Sequence, residues 1–92
     1  MIKSWKHRGL ERFFKNGDAS KIQAAHIKRL RNQLAALNAA VKPEDMNLPG
    51  WDFHKLTGRE RGSFAVKVNG NWRLTFYFEG QDAILVDYLD YH

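Results

Sequence analysis

Apolar residues recur at helical spacing through the first half of the chain and at alternate positions through the second half. The first helical signal lies in "GLERFFKNG", where apolar residues at i, i+3 and i+4 predict a short helix over residues 9–16. Gly17 stands where the glycine that ends a helix is usually found. Residues 2–5 fit a short strand ahead of this helix.

A second, longer helix is the clearest periodic signal in the sequence. Five apolar residues with spacings of three, four, three and four form one stripe, which predicts a helix over residues 21–40. Asp18 or Ser20 can cap its N-terminus, and Pro43 prevents its continuation. The connector after Pro43 is rich in turn residues and has room for one helical turn. The stripe consists of Ile27, Leu30, Leu34, Leu37 and Val41.

Alternating apolar residues predict strands in "SFAVKV", "NWRLTFYF" and "DAILVDY". The loop between the first two strands decides which residues face each other. A two-residue loop at Asn69 and Gly70 would place Val66 opposite Arg73 and mix apolar with polar side chains. A three-residue loop over residues 68–70 pairs Val66 with Trp72 and keeps one face apolar, so we predict this loop, with Gly70 in the left-handed region.

These elements predict a single domain over residues 1–92 of the α+β class. Two N-terminal helices should pack on one face of a small antiparallel sheet of three or four strands. The helix stripe and the Phe/Trp/Leu face of the sheet would bury each other. Arg73 should then stand on the other face, in the middle of a rigid element.

Charge is distributed unevenly along the chain, whose formal net charge is +5. Residues 1–31 contain nine Lys/Arg and two acids, whereas residues 74–92 contain four acids and no Lys/Arg. The basic part suits a polyanion such as RNA or DNA, although a solvated surface has the same charge balance. Lys21, Lys28 and Arg31 would form one row on the long helix, either binding RNA or facing solvent.

Composition excludes several kinds of site. The chain has no cysteine, so disulfides, a thiolate nucleophile and Cys-based zinc binding are ruled out, which suits a reducing cytoplasm. There is no apolar run of the roughly 20 residues that a membrane span needs. The four histidines lack a common metal-ligand spacing, and "GRERG" lacks the spacing of a phosphate-binding loop. We therefore predict a cytoplasmic protein without metal or cofactor.

The remaining polar residues fit one reaction. RNA is cut without metal when its 2′-OH attacks the neighbouring phosphate, which needs a base, an acid and a cation for the developing charge. Histidine suits the proton transfers, and the fork of arginine suits the phosphate. Taken singly, each of these residues also has a structural explanation. The candidates are His54, Lys55, Arg59, Arg61, Arg73, Asp90, Tyr91 and His92.

Four segments of the sequence resemble the HigB toxins of the RelE/ParE superfamily, which belong to type II toxin–antitoxin systems. They are "GLERFFKNG", "FHKLTG", "VNGNWRLTF" and the closing "DAILVDYLDYH", and the similarity extends over nearly the whole chain. The resemblance implies a microbial-RNase-like α+β fold and a ribosome-dependent mRNA interferase that cleaves mRNA in the ribosomal A site. It also implies an antitoxin of the HigA type with a helix-turn-helix. The toxin would contact operator DNA only indirectly, through this antitoxin.

The resemblance also assigns roles to individual residues. The family's catalytic histidine, strand arginine and terminal Asp and His fall on His54, Arg73, Asp90 and His92. His54 and His92 would transfer protons, with the choice of base and acid open, and Arg73 would hold the scissile phosphate. Asp90 would orient Arg73 or His92, and Tyr91 would stack on a base or anchor the chain end.

The sequence departs from the family pattern at Thr57, where relatives carry a lysine that helps to hold the phosphate. Lys55 lies two residues away and would share a side with position 57 in an extended segment, so it is a candidate substitute. Arg59 and Arg61, with Lys28 and Arg31 on the long helix, are candidate RNA-binding residues.

Two other interpretations stay open at the level of sequence. ParE-type relatives have the same fold but inhibit DNA gyrase by binding, and they do not need the set of His54, Arg73 and His92. Alternatively, Thr57 weakens or abolishes activity, which would leave a toxin that only binds its antitoxin. A plain RNA-binding sheet is disfavoured because the strand aromatics mostly share the face that should be buried.

Overall fold

The computed structural model describes residues 1–58 and 61–91 of the chain. Two helices precede a four-stranded antiparallel sheet of order β1-β2-β3-β4, as the sequence predicts. The helices are α1 (Arg8–Asn16) and α2 (Ile27–Ala39), and the strands are β1 (His54–Lys55), β2 (Phe64–Asn69), β3 (Trp72–Glu79) and β4 (Asp82–Asp90). Short 3₁₀ turns cover Ala24–His26 and Pro43–Met46.

Helix α1 confirms the first prediction closely. The side chain of His7 accepts a hydrogen bond from the Leu10 amide at its N-terminus, over 2.9 Å. Gly17 ends the helix with φ of 75°, and its amide donates to the Phe13 carbonyl. Leu10 and Phe13 are buried on the side that faces the core.

Helix α2 is shorter than predicted at its N-terminus, and the predicted caps are wrong. Asp18 Oδ1 accepts from the Ser20 amide in a local turn, so neither residue caps α2. Gln23 is extended, and only from Ala24 does the chain coil, first as a 3₁₀ turn. At the other end, Val41 lies beyond the helix and is 51% exposed, so the stripe ends at buried Leu37 and Ala40.

The core lies between the helices and one face of the sheet. Leu30, Leu34 and Leu37 of α2 are fully buried in one cluster with Val66, Leu74 and Phe76 of the sheet. The other sheet face, called the outer face below, is defined by strand alternation and register. It carries His54, Ala65, Lys67, Arg73, Thr75, Tyr77, Asp87 and Leu89.

The hairpin between β2 and β3 has a different register from the predicted one. Val66 faces Leu74 and not Trp72, Asn69 faces Trp72, and the register shifts between Lys67 and Asn69. The extra residue of this bulge preserves the predicted faces, while the turn moves to Gly70 and Asn71. Gly70 has φ of 56°, as predicted.

The predicted strand over residues 2–5 is present only as two isolated parallel bridges. Ile2 bridges to Ala83 and Trp5 to Val86, along the free edge of β4. Within the described residues, no helix is long and apolar enough to cross a membrane.

Candidate active site on the outer face

His54 begins β1 and lies on the outer face opposite Ala65. Its Nδ1 lies 2.9 Å from the carbonyl oxygen of Asp52, a residue with φ of 49°. Because a carbonyl only accepts, Nδ1 carries the proton of this hydrogen bond. In the neutral ring the lone pair is then on Nε2, which is the nitrogen that can accept a proton from a substrate hydroxyl. The side chain is exposed, so a substrate can reach it.

Arg73 lies in β3 on the same face, as the sequence predicts. It faces Lys67 on β2 and Leu89 on β4. One nitrogen of its guanidinium donates to the carbonyls of Gly70 and Trp72, at 2.8 and 3.1 Å. The β2–β3 turn therefore anchors the arginine, and holds its positive charge beside the outer face.

The register gives the separation of His54 and Arg73. His54 shares a row across the sheet with Ala65 and Thr75, and Arg73 is one row further along, with Lys67. Strands about 4.8 Å apart and a step of two residues put the two Cα atoms about 12 Å apart. Long side chains can reach toward each other across such a gap.

The end of β4 lies at the same end of the sheet as Arg73. Tyr91 donates its amide to the Asn71 carbonyl over 2.8 Å, and Asp90 faces Trp72. Strand alternation puts Asp90 on the helix side with Trp72, and Tyr91 on the side of Arg73. Asp90 and Arg73 therefore start from opposite faces of the sheet. His92 lies outside the described residues.

The described residues among the basic ones predicted to bind RNA lie on several parts of the surface. Lys55 faces Phe64 and so points to the helix side of the sheet, away from His54. Arg61 is exposed in the turn before β2, where its amide donates to the Gly58 carbonyl. Arg59 lies outside the described residues.

The predicted row of Lys21, Lys28 and Arg31 is also wrong, because Lys21 precedes α2 and packs beside Gly9 of α1. Lys28 lines a groove of about 340 Å³ with Ala25, Arg29, Asn32 and Trp51. Arg31, one turn further along α2, extends toward α1, with its guanidinium 5.8 Å from the centre of the Phe13 ring. The two cations therefore face different surroundings.

Sequence reasoning did not single out Lys67, which lies beside Arg73 in the structure. Its side chain is half-buried on the outer face directly opposite Arg73. The predicted hairpin, shifted by two residues, would instead place Lys67 opposite Asn71. Only the bulge between Lys67 and Asn69, which no local signal marked, brings the two cations together.

The described residues contain no group of three His, Cys, Asp or Glu side chains that could hold a metal ion. The outer face itself carries an imidazole with a free acceptor nitrogen, a guanidinium, an ammonium and a carboxylate at Asp87.

Comparison with known proteins gives the family. Residues 3–92 match the HigB-like toxin family, described as the RelE-like toxin of the type II toxin–antitoxin system HigB. The chain is also similar to a Proteus vulgaris protein named Endoribonuclease HigB, at 37% identity over 92 residues that cover all of both chains. On both grounds, the chain belongs to the HigB-like, RelE-related toxins of type II toxin–antitoxin systems.

Proposed function

We propose that this toxin is a ribosome-dependent mRNA endonuclease that cuts mRNA in the ribosomal A site and so stops translation. The observation that carries the proposal is the placement of His54 and Arg73 on one face of the sheet, at adjacent rows. An imidazole, which suits proton transfer, and a guanidinium, which suits phosphate binding, thus lie on one face of the sheet. The name of the Proteus vulgaris relative, Endoribonuclease HigB, supports the same reaction class.

The proposed reaction needs no water in its first step. The 2′-oxygen of one nucleotide forms a bond to the adjacent phosphorus as its proton passes to a base. The bond from phosphorus to the 5′-oxygen of the next nucleotide breaks, and that oxygen receives a proton from an acid. The products are a 2′,3′-cyclic phosphate and a 5′-hydroxyl end. The extra negative charge of the transition state falls on the phosphate oxygens, where a fixed cation stabilises it.

In this mechanism His54 takes up or gives a proton through Nε2, since Asp52 holds Nδ1. Arg73 binds the phosphate oxygens. His92 is the second proton-transfer group, Tyr91 stacks on a base near Arg73, and Asp90 orients the chain end at His92. Which histidine is the base and which the acid is decided by where the ribosome places the mRNA.

The proposal also includes partners. Membership of a type II toxin–antitoxin family implies an antitoxin. We propose one of the HigA type with a helix-turn-helix, through which the toxin reaches operator DNA only indirectly. The ribosome with its mRNA is the substrate complex, in the cytoplasm, and exposed Lys28 and Arg61 are proposed RNA contacts together with Lys55, Arg59 and Arg31.

Primer extension on mRNA bound to programmed ribosomes tests the proposal. Wild-type protein should cut within the A-site codon, and Arg73→Gln should lower the rate about 10²-fold or more, because a fixed cation at the developing charge is lost. Arg12→Gln is the matched control, since Arg12 is an exposed arginine of α1, and this variant should cut normally. A wild type that leaves mRNA intact would refute the proposal, and a DNA-damage response on expression would favour gyrase poisoning instead.

A further inference from the structure

Two positive side chains face each other directly on the outer face. Lys67 of β2 and Arg73 of β3 are cross-strand partners. Like charges in directly opposed positions destabilise a sheet, because their Cβ atoms are only about 5 Å apart. Among the described residues, none of the ion pairs includes either side chain. An anion bound between the two cations would remove this repulsion.

The backbone of Lys67 lies beyond the end of β1, on the open side of β2, and three hydrogen bonds hold it there. Its carbonyl accepts from Arg29 Nε at 3.1 Å and from the buried Gln33 Nε2 at 2.9 Å, and its amide donates to the Trp51 carbonyl at 2.7 Å. Helix α2 and the connector before β1 therefore both hold the residue. A bulge follows at once, and bulges next to sites commonly re-aim a side chain.

We propose that Lys67 is a second phosphate-binding cation of the cleavage site, acting with Arg73 on the same phosphate. This inference rests on the proposed function. The fork of Arg73 binds two oxygens in a fixed plane, whereas the ammonium of Lys67 is a compact charge that can follow the third oxygen. Two fixed cations together stabilise the charge that develops there.

Lys67 is a better second cation than Lys55. Lys55 faces Phe64 on the helix side, whereas Lys67 lies on the outer face with His54 and Arg73. Thr57 carries no charge, so the chain supplies the second positive charge from β2 and not from the segment after His54. Lys67 is then a catalytic residue, since its ammonium touches the reacting phosphate.

Single-turnover cleavage on programmed ribosomes tests the assignment. Lys67→Met keeps most of the stem and removes the charge, and should lower the rate about 10²-fold. Lys67→Arg should retain most of the rate, because it keeps the charge. Lys15→Met on α1 is the control for loss of an exposed lysine, and Lys55→Met is the competing variant. If Lys55→Met lost more activity than Lys67→Met, or if Lys67→Met cut like wild type, the assignment would be overturned.

A second measurement separates this inference from the proposed function. Inorganic phosphate is titrated into the isolated toxin, and the amide shifts of Lys67 and Arg73 are followed by NMR. Both should move in the wild type, and the affinity should fall several-fold in Lys67→Met but not in Lys15→Met. Phosphate binding of this kind without ribosomal cleavage would refute the endonuclease and support the anion site. Normal cleavage with unchanged phosphate affinity in Lys67→Met, or in Lys67→Gln should the first variant not fold, would refute only the anion site.

Discussion

A buried histidine and a buried tyrosine form a polar pair under the sheet. His26 Nδ1 lies 2.7 Å from the Tyr88 hydroxyl, and that oxygen also accepts from the Gln23 amide at 3.3 Å. The hydroxyl hydrogen of Tyr88 needs an acceptor, and an unprotonated Nδ1 of neutral His26 supplies one at this distance, with the ring proton on Nε2. Burial lowers the pKa of His26 and raises the pKa of Tyr88, so both groups stay uncharged near neutral pH.

His26 should make the stability of the protein depend on pH. Because burial lowers its pKa in the folded protein below the ordinary 6.5, the unfolded chain binds a proton first as the pH falls. The free energy of unfolding contributed by this group is therefore highest above about pH 6.5 and decreases below it, by about 1.4 kcal/mol for each unit of difference in pKa. Urea unfolding of wild type and of His26→Gln measures the effect, at pH values from about 8 to about 5 that span this pKa.

The stability of His26→Gln should lack the part of the pH dependence that His26 contributes. His54→Gln alters an exposed histidine and should keep that part. Equal pH profiles for wild type and His26→Gln would contradict the assignment of this dependence to the buried pair.

Tyr88→Phe should destabilise the fold by about 1–3 kcal/mol, because it leaves the Gln23 amide and His26 Nδ1 without their partner. Thermal and chemical unfolding measure the change. Tyr77→Phe is the matched control, since Tyr77 is only half-buried and keeps the ring that lies 6.0 Å from Lys6 Nζ. A loss as large in the control would show that hydroxyl removal at any position has this effect.

At the residue scale, the sequence indicated candidate side chains but did not indicate which residues would lie next to each other in the fold. His54 and Arg73 were recognisable as candidates because their side chains suit proton transfer and phosphate binding. Lys67 was not recognisable as a candidate, because the reason to consider it is that it faces Arg73 across the sheet. That pairing is set by a bulge between Lys67 and Asn69, and bulges leave no reliable local signature.

At the element scale, α2 shows why periodicity gives a helix but not its start. Residues 21–26 have a composition compatible with helix, yet Gln23 is extended at φ −64° and ψ 133°. Its amide bonds to Tyr88, which is 65 residues away along the chain. Ile22 is buried at 8% exposure in the same segment. A long-range contact therefore overrides the local preference for helix.

The segment at Lys21 packs closely against helix α1 at Gly9. The residue is buried, and a Cβ added there would overlap the Cβ of Lys21, which packs against the helix. Gly9→Ala gains about 1 kcal/mol of helix propensity, but it forces α1 away from the segment before α2. We expect a net loss of about 1–2 kcal/mol, since overpacking of this kind costs about 1–3 kcal/mol.

Unfolding of Gly9→Ala in urea measures this loss. Asn16→Ala, at the exposed end of the same helix, is the control in which a better helix former meets no neighbour. A more stable Gly9→Ala would show that the segment at Lys21 yields to the added methyl group.

At the scale of the whole molecule, the fold brings the basic and acidic ends of the chain together. Residues near the N-terminus run parallel to β4, and the terminal ammonium of Met1 lies 3.6 Å from Asp82 Oδ1. This ion pair joins the two ends of the chain at an exposed position, where it contributes little to stability. Among the described residues, Arg12 and Lys15 pair with Asp18 and Glu11, while the other Lys and Arg side chains of residues 1–31 form no ion pair and can attract a polyanion.

The two ends of β4 lie far apart, and this separation gives a prediction for added tags. Met1 accepts from the Ala83 amide at one end, whereas Tyr91 bonds to Asn71 at the other, close to Arg73. Eight residue steps of strand put these ends about 26 Å apart. A tag joined after His92 therefore begins beside the proposed cleavage site, whereas one joined before Met1 begins beside the β3–β4 turn.

The same tag should thus lower ribosomal cleavage much more after His92 than before Met1, with equal thermal stability in both proteins. Primer extension and growth arrest on expression give two independent readings of the difference. If both tagged proteins cut equally well, the residues after β4 do not enter the site, and the proton transfers proposed for His92 must come from another group on the outer face. If the tag before Met1 were the more harmful, the substrate would approach from the β3–β4 turn, and the site would have to be sought there.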